Sequence, residues 1–231
     1  MCGDGLMVKR FALAAALMVA TATASGAATI SFSDTVAVQP TNWSETASVS
    51  KFDPSLGTLT SVKFTLFGEV IGDASAESLD ASPSQVTLEV EARITATGPG
   101  LPGDLGVVIP VTSVVENFTA FDGVVDFDGT SGASFTGLTG DDTVVNVYND
   151  AATLAFFTGL GTADIDLTGE GTSNGSGSGN LITQFATSAG GTITVEYTFD
   201  DGDMAPIPLP AGAPLLLGAL AGLYLVRRRR G

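Results

Sequence analysis

Apolar and polar residues alternate with period two over several stretches of the chain. Val86, Leu88, Val90, Ala92, Ile94 and Ala96 interleave with Thr87, Glu89, Glu91, Arg93, Thr95 and Thr97. Ile193, Val195, Tyr197 and Phe199 interleave with Thr194, Glu196 and Thr198, and shorter cases are Val62/Phe64/Leu66 and Ala163/Ile165/Leu167. A period of two places one face in a core and the other in water, which predicts antiparallel sheets. Further strands are predicted around Ile30–Val38, Val107–Val115, Phe118–Phe127, Val144–Tyr148 and Leu154–Phe157. Turn residues separate these runs: Asp53-Pro54-Ser55-Leu56-Gly57, Gly98-Pro99-Gly100, Asp122-Gly123, Asp128-Gly129, Gly140-Asp141-Asp142 and Gly190-Gly191. No stretch of the domain carries a sustained 3.6-residue period. Roughly nine to eleven strands with short turns predict an all-β fold, an antiparallel two-sheet sandwich of jelly-roll type. Gly169–Asn180 is so rich in glycine and serine that it reads as a loop between strands.

The two ends of the chain have a different pattern. Lys9 and Arg10 precede an apolar run from Phe11 to Val19, then small residues through Ala28. That order predicts a signal peptide over residues 1–27, with Ala22-Thr23-Ala24 and Ser25-Gly26-Ala27 as cleavage points. Met7 is an alternative start. Cys2, the one cysteine, lies ahead of the apolar run, which argues against lipidation, and it leaves with the signal peptide. The exported domain, residues 28–203, therefore has no disulfide and no thiolate ligand.

Residues 204–231 hold a proline-rich lead, an apolar segment Leu215–Val226 and the cluster Arg227, Arg228, Arg229 and Arg230. The apolar segment alone makes a helix of about 18 Å, and about 27 Å if extended back to Leu209, against a hydrocarbon core of about 30 Å. It predicts a single transmembrane helix that barely spans, with the arginines stopping it on the cytoplasmic side.

This tail resembles the C-terminal sorting signals of the PEP-CTERM class, in its VPLPA-CTERM form. The matching residues are Ile207, Pro208, Leu209, Pro210, Ala211 and Gly212, followed by the helix and the arginines; Ile207 stands where the motif has valine. The resemblance implies recognition by an exosortase-type membrane protease or transpeptidase, after passage through the secretion translocon and signal peptidase. It implies a Gram-negative chain that is tethered to the inner membrane as an intermediate, then reaches the cell surface or the medium. The stretch Lys51-Phe52-Asp53-Pro54-Ser55-Leu56-Gly57-Thr58-Leu59-Thr60-Ser61-Val62-Lys63-Phe64 resembles the opening of the choice-of-anchor E domain. That likeness implies a secreted β domain and an address, with no site residue to carry over.

Charge narrows the chemistry. The exported domain sets Lys51, Lys63 and Arg93 against 24 acids, a net charge of −21. No basic patch exists to meet nucleic acid. The chain has no histidine, which removes serine and cysteine triads and histidine-bound zinc. No cofactor is expected, with Ca²⁺ the one metal the composition favours. Asp122, Asp126 and Asp128 offer three carboxylates within one turn region, Asp141-Asp142 and Asp200/Asp201/Asp203 offer others, but calcium needs six to eight convergent oxygens. Glu89 and Glu91, two apart on one strand, are the pair a glycoside hydrolase would use. Trp43, the single tryptophan, fits either a sugar platform or a packing role. Asn42, Asn117 and Asn174 begin glycosylation triplets. The expected function is thus a non-catalytic surface or extracellular-matrix protein; the alternatives are a calcium- or polysaccharide-binding module and a secreted glycoside hydrolase.

Overall fold

Each period-two run forms a strand that turns its apolar residues inward. The computed structural model describes residues 27–177 and 179–201. Ten strands follow in order: β1 (Ala28–Pro40), β2 (Trp43–Ser50), β3 (Thr58–Ser78), β4 (Ser84–Thr97), β5 (Asp104–Val108), β6 (Val111–Phe118), β7 (Gly132–Tyr148), β8 (Thr162–Gly171), β9 (Asn174–Ser176) and β10 (Leu181–Asp200). A 3-10 turn, Pro54–Leu56, precedes β3, and one short helix, α1 (Ala151–Phe157), joins β7 to β8.

All ladders between strands are antiparallel, and they build two sheets. The first has the order β1-β10-β3-β7; the second has β2-β8-β4-β5, with β6 and β9 also on β4. β4 is long enough to pair with β6 along Ser84–Glu91 and with β5 along Ile94–Thr97. The break between those partners falls at Ile109-Pro110, because proline has no N–H for the ladder. The single strand expected over Val107–Val115 is therefore two.

The core lies between the sheets. Val86, Leu88, Val90, Ala92, Ile94 and Ala96 of β4 face Val62, Phe64, Leu66, Ile193, Val195 and Tyr197 of β3 and β10, all buried. Ala163, Ile165 and Leu167 complete the second sheet's inner face. Asp164 and Asp166 point outward, where they accept hydrogen bonds from Ser48 Oγ (2.7 Å) and Thr46 Oγ1 (3.1 Å).

Two aspartates close the sides of the sandwich. Asp34 on edge strand β1 accepts the backbone N–H of Ser48 on β2 at 2.7 Å and of Thr35 at 2.8 Å. Asp142 on the opposite edge strand, β7, accepts the N–H of Ile109 at 2.9 Å and of Thr143 at 2.8 Å. Each carboxylate joins one sheet to the other through a donor with no ladder partner there. Hydrogen bonds to an ionised acceptor are the strong kind.

Three expectations are corrected. Leu154–Phe157 belongs to α1, where the Asp150 carboxylate accepts from Thr153 N at 3.0 Å as the N-cap and Phe157 is fully buried. Four apolar residues do not distinguish a strand from a helical turn. The strand expected over Phe118–Phe127 stops at Phe118, and residues 119–131 are irregular. Gly169–Asn180 is not a plain loop: β8 runs through Gly171, and Asn174–Ser176 pairs with Thr87–Glu89 of β4. Among the described residues no helix is long and apolar enough to cross a membrane. The expected signal peptide and the C-terminal sorting signal, with Ile207–Gly212, Leu215–Val226 and Arg227–Arg230, lie outside the described residues.

Replacing Asp34 or Asp142 by alanine is expected to lower unfolding free energy by about 0.5–1.5 kcal/mol each, since an exposed hydrogen bond between the sheets is lost. The two sites sit on opposite edges, so the double variant should show the sum in urea denaturation.

Candidate functional site

The sandwich has two unlike ends. Ala28 pairs with Phe199, and Thr58 pairs with Asp200, so the first and last residues of the domain leave together at one end. The opposite end, roughly 65 Å away along β3 at about 3.3 Å per residue, carries the β3–β4, β6–β7 and β8–β10 connections.

These connections are locked to one another. Leu79 N donates to Asn180 O (2.8 Å), Asn180 N to Asp80 Oδ1 (2.9 Å), and Phe121 N to Asp80 O (2.8 Å). Below them sits Glu77, a fully buried carboxylate at the end of β3. Its oxygens accept from Ser131 Oγ (2.6 Å) and from Phe127 N (2.9 Å). Phe127 has a φ of 57°, a left-handed conformation costly for a bulky residue. Glu77 fixes its N–H, and Ser134 Oγ donates to its carbonyl at 3.1 Å. The loop above ends in Val124 and Val125, 55% and 50% exposed. A recess of about 270 Å³ beside it is lined by Glu116–Thr119 and by Gly129, Thr130, Gly132 and Ala133.

Asp122, Asp126 and Asp128 lie in this loop, and the structure does not gather them. Asp122 accepts from Val124 N (3.0 Å), Asp126 from Asp128 N (3.1 Å) and Asp128 from Gly129 N (2.8 Å). Each closes its own turn. Among the described residues no three acidic side chains converge as a metal would require, so the expected calcium ligand set is corrected to a series of turn caps. Asp141 and Asp142 part in the same way, because neighbours on a strand point to opposite faces. Asp203 lies outside the described residues.

Glu89 and Glu91 share a strand face as expected, but each is engaged by the segment after β8. Glu89 Oε2 accepts from Asn174 Nδ2 (3.0 Å) and Glu91 Oε1 from Thr172 Oγ1 (2.7 Å). They hold the glycine-rich chain onto β4, which explains why it pairs there. Trp43 is 9% exposed, donates from Nε1 to Ala189 O at 3.1 Å, and covers Gly169 so closely that a Cβ there would overlap its ring. Of the two roles open to Trp43, the structure shows the packing one. The triplet asparagines Asn42, Asn117 and Asn174 are all exposed.

A recess of about 260 Å³ at the end where the termini leave is lined by Leu101–Leu105, Tyr148, Asp150 and Thr153. Burial pushes the Tyr148 phenol up, with Asp150 and Asp104 adding in the same direction against the lowering effect of Asn146; its OH donates to Leu105 O at 2.7 Å. Tyr197, in the core, is likewise raised by burial. Asp150 is held below the usual carboxylate value by the Thr153 N–H, and Asp53 by the Ser55 N–H. Each of these groups serves a structural hydrogen bond.

No protein-family model matches the chain, and no curated protein does. Among solved structures, a chain of infectious bursal disease virus, Gx strain, is 11% identical over 93% of this chain and 52% of its own, with a TM-score of 0.17. A chain of the T13 particle of that virus is 14% identical over 96% of this chain and 51% of its own, again at 0.17. The chain spans about half the length of those viral proteins. Likenesses this weak carry no argument about fold or function.

Glu77→Ala is expected to cost about 1–3 kcal/mol by stranding Phe127 N–H and Ser131 Oγ, and to raise hydrogen exchange across residues 119–131 ahead of the strands. The lowered carboxyls of Asp53 and Asp150 favour the fold fully at neutral pH. That contribution is lost as pH falls below the ordinary value of 3.8 and through the depressed folded values. The urea midpoint, followed by tryptophan fluorescence, is therefore expected to fall modestly as pH is lowered below about 4.

Proposed function

We propose that this chain is an exported, non-catalytic surface or matrix protein, delivered by a signal peptide and matured by an exosortase-type enzyme at Ile207–Gly212. The observation that carries the reading is the order of three elements in the last residues: proline-rich motif, marginal apolar segment Leu215–Val226, then Arg227–Arg230. A chain that barely spans suits brief retention for cutting better than permanent residence. Two features of the fold support it. The start of β1 and the end of β10 leave at one end, so both membrane-directed segments attach there and the far loops are free to project outward. Asp122, Asp126, Asp128, Glu89 and Glu91 are each engaged in backbone or side-chain hydrogen bonds, which is the pattern of a scaffold.

The strand order β1-β10-β3-β7 over β2-β8-β4-β5 supports the finer reading of a jelly roll, since the chain passes from one sheet to the other at every connection except β4–β5–β6 and β8–β9. Stability then rests on burial between two sheets, without disulfides. The net charge keeps such a domain soluble outside the cell by self-repulsion.

Intact mass of the protein from cells and from medium tests the reading. The mature chain is expected to begin after the signal peptide, close to Ala28, and to end within or just before Ile207–Gly212. Protein outside the cell that retains Leu215–Gly231 on every molecule overturns it.

A further inference from the structure

The outer face of the first sheet carries charges and apolar side chains that the fold leaves unused. On that face, register sets Lys63 of β3 beside Val147 of β7, Thr65 beside Val145, and Phe67 beside Thr143. Val145 and Val147 are 51% and 65% exposed, and Phe67 is exposed next to them. In the following row Glu69 lies directly across from Asp141. Like charges opposite one another destabilise a sheet. Unlike Asp34, Asp142 and Glu77, neither of these two carboxylates accepts a hydrogen bond among the described residues, and neither is in an ion pair. Lys63 is the one cation of this face among the described residues, and it stands on the other side of the apolar rows. Its side chain is half-exposed and reaches Glu196 at 3.5 Å.

We propose that this face is a self-association surface, and that its occupant is the same face of a second copy of the chain. A two-fold axis that crosses the strands between Thr65 and Phe67 lays β3 over β3 and exchanges the rows. Lys63 of one copy then meets Glu69 of the other, beside Asp141, and the same contact recurs in reverse. The rows of Val145 and Phe67 cover each other between the two ionic contacts. A basic partner would satisfy the carboxylates but set Lys63 against a like charge, and an acidic partner would do the converse. A second copy satisfies both, because cation and carboxylates lie on opposite sides of the axis. Thr35, Thr192 and Thr194 supply a hydroxyl margin on the neighbouring strands. From Lys63 to Ile71 across four strands the face measures about 26 by 19 Å, or roughly 500 Å² per copy, at ordinary strand rise and spacing. Two copies together bury about 1,000 Å², the lower bound for a specific contact, so the dimer is weak and reversible. It forms by whatever route the chain is delivered.

Sedimentation equilibrium of the protein purified from its host, at fixed ionic strength, tests this, with the urea midpoint as the check on folding. The natural protein is expected to show a reversible monomer–dimer equilibrium. Lys63→Glu and Glu69→Lys, each alone, are expected to weaken it about tenfold or more, since each sets like charges face to face. An equimolar mixture of those two variants is expected to recover association, because every exchanged charge meets its opposite. Val145→Lys is expected to abolish the dimer. Val115→Lys, at an exposed position on the outer face of the second sheet, is expected to leave it unchanged. A natural protein that stays monomeric overturns the proposal, as does a mixture that associates no better than its components. Association that survives Val145→Lys, or that Val115→Lys weakens equally, also overturns it. Association abolished by EDTA traces Glu69 and Asp141 to a bridging metal ion and overturns the contact through Lys63. None of these outcomes bears on processing at Ile207–Gly212, which intact mass reads separately.

Discussion

The last strand is seated between the first and the third. β10 pairs with β1 from Ser188 to Phe199 and with β3 along its whole length, so the first sheet has no centre until the end of the domain is in place. Backbone N–H and C=O groups in the interior need partners, and removing β10 would leave β1 and β3 without theirs. Most other features depend on this closure. It brings both termini to one end, sends three long connections to the other, and places Phe199 and Tyr197 where Phe52 can cover them. The pairings are between residues far apart in sequence, a topology that folds slowly and only when the chain is complete.

The acidity of the domain has a use that composition does not reveal. Its carboxylates accept from backbone N–H groups at edges, turns and a helix start: Asp34 and Asp142 at the sides, Asp53 and Asp150 as caps, Asp73 at Gly137, Asp80 at Asn180, and Glu77 under the far loop. With three cations in the domain, ion pairs cannot do this work; the described residues form one salt bridge, Lys63–Glu196 at 3.5 Å, between half-exposed side chains. Such a pair contributes little. Acceptors for N–H groups need no cation, and an ionised oxygen is the better acceptor. Asp142, one of the aspartates that read as a metal ligand in the sequence, is thus consumed in holding a disulfide-free sandwich together.

Local signals read the strands well and the loops poorly. The inward faces of β3, β4, β8 and β10 follow directly from alternation, because burial on one face of a pleated strand imposes a period of two wherever it occurs. Leu154–Phe157 was misread since its helical conformation is set by the Asp150 cap and by the pocket that receives Phe157. The Gly169–Asn180 segment lacks apolar side chains, and its pairing with β4 arises from hydrogen bonds that Glu89 and Glu91 supply from the neighbouring strand. Trp43 carried no signal distinguishing surface from core; the space above Gly169 decides it.

The sequence alone determined that the chain is an all-β domain flanked by an apolar run on either side, since periodicity, turn residues and apolar runs are local properties. It also determined the chemistry that is absent, because a residue type missing from the chain is missing from every fold of it. Only the tertiary structure decided which strands are neighbours, where each carboxylate is spent, and that Glu69 lies across from Asp141. Those are contacts between positions remote in the chain, and nothing in a local pattern encodes the distance between them.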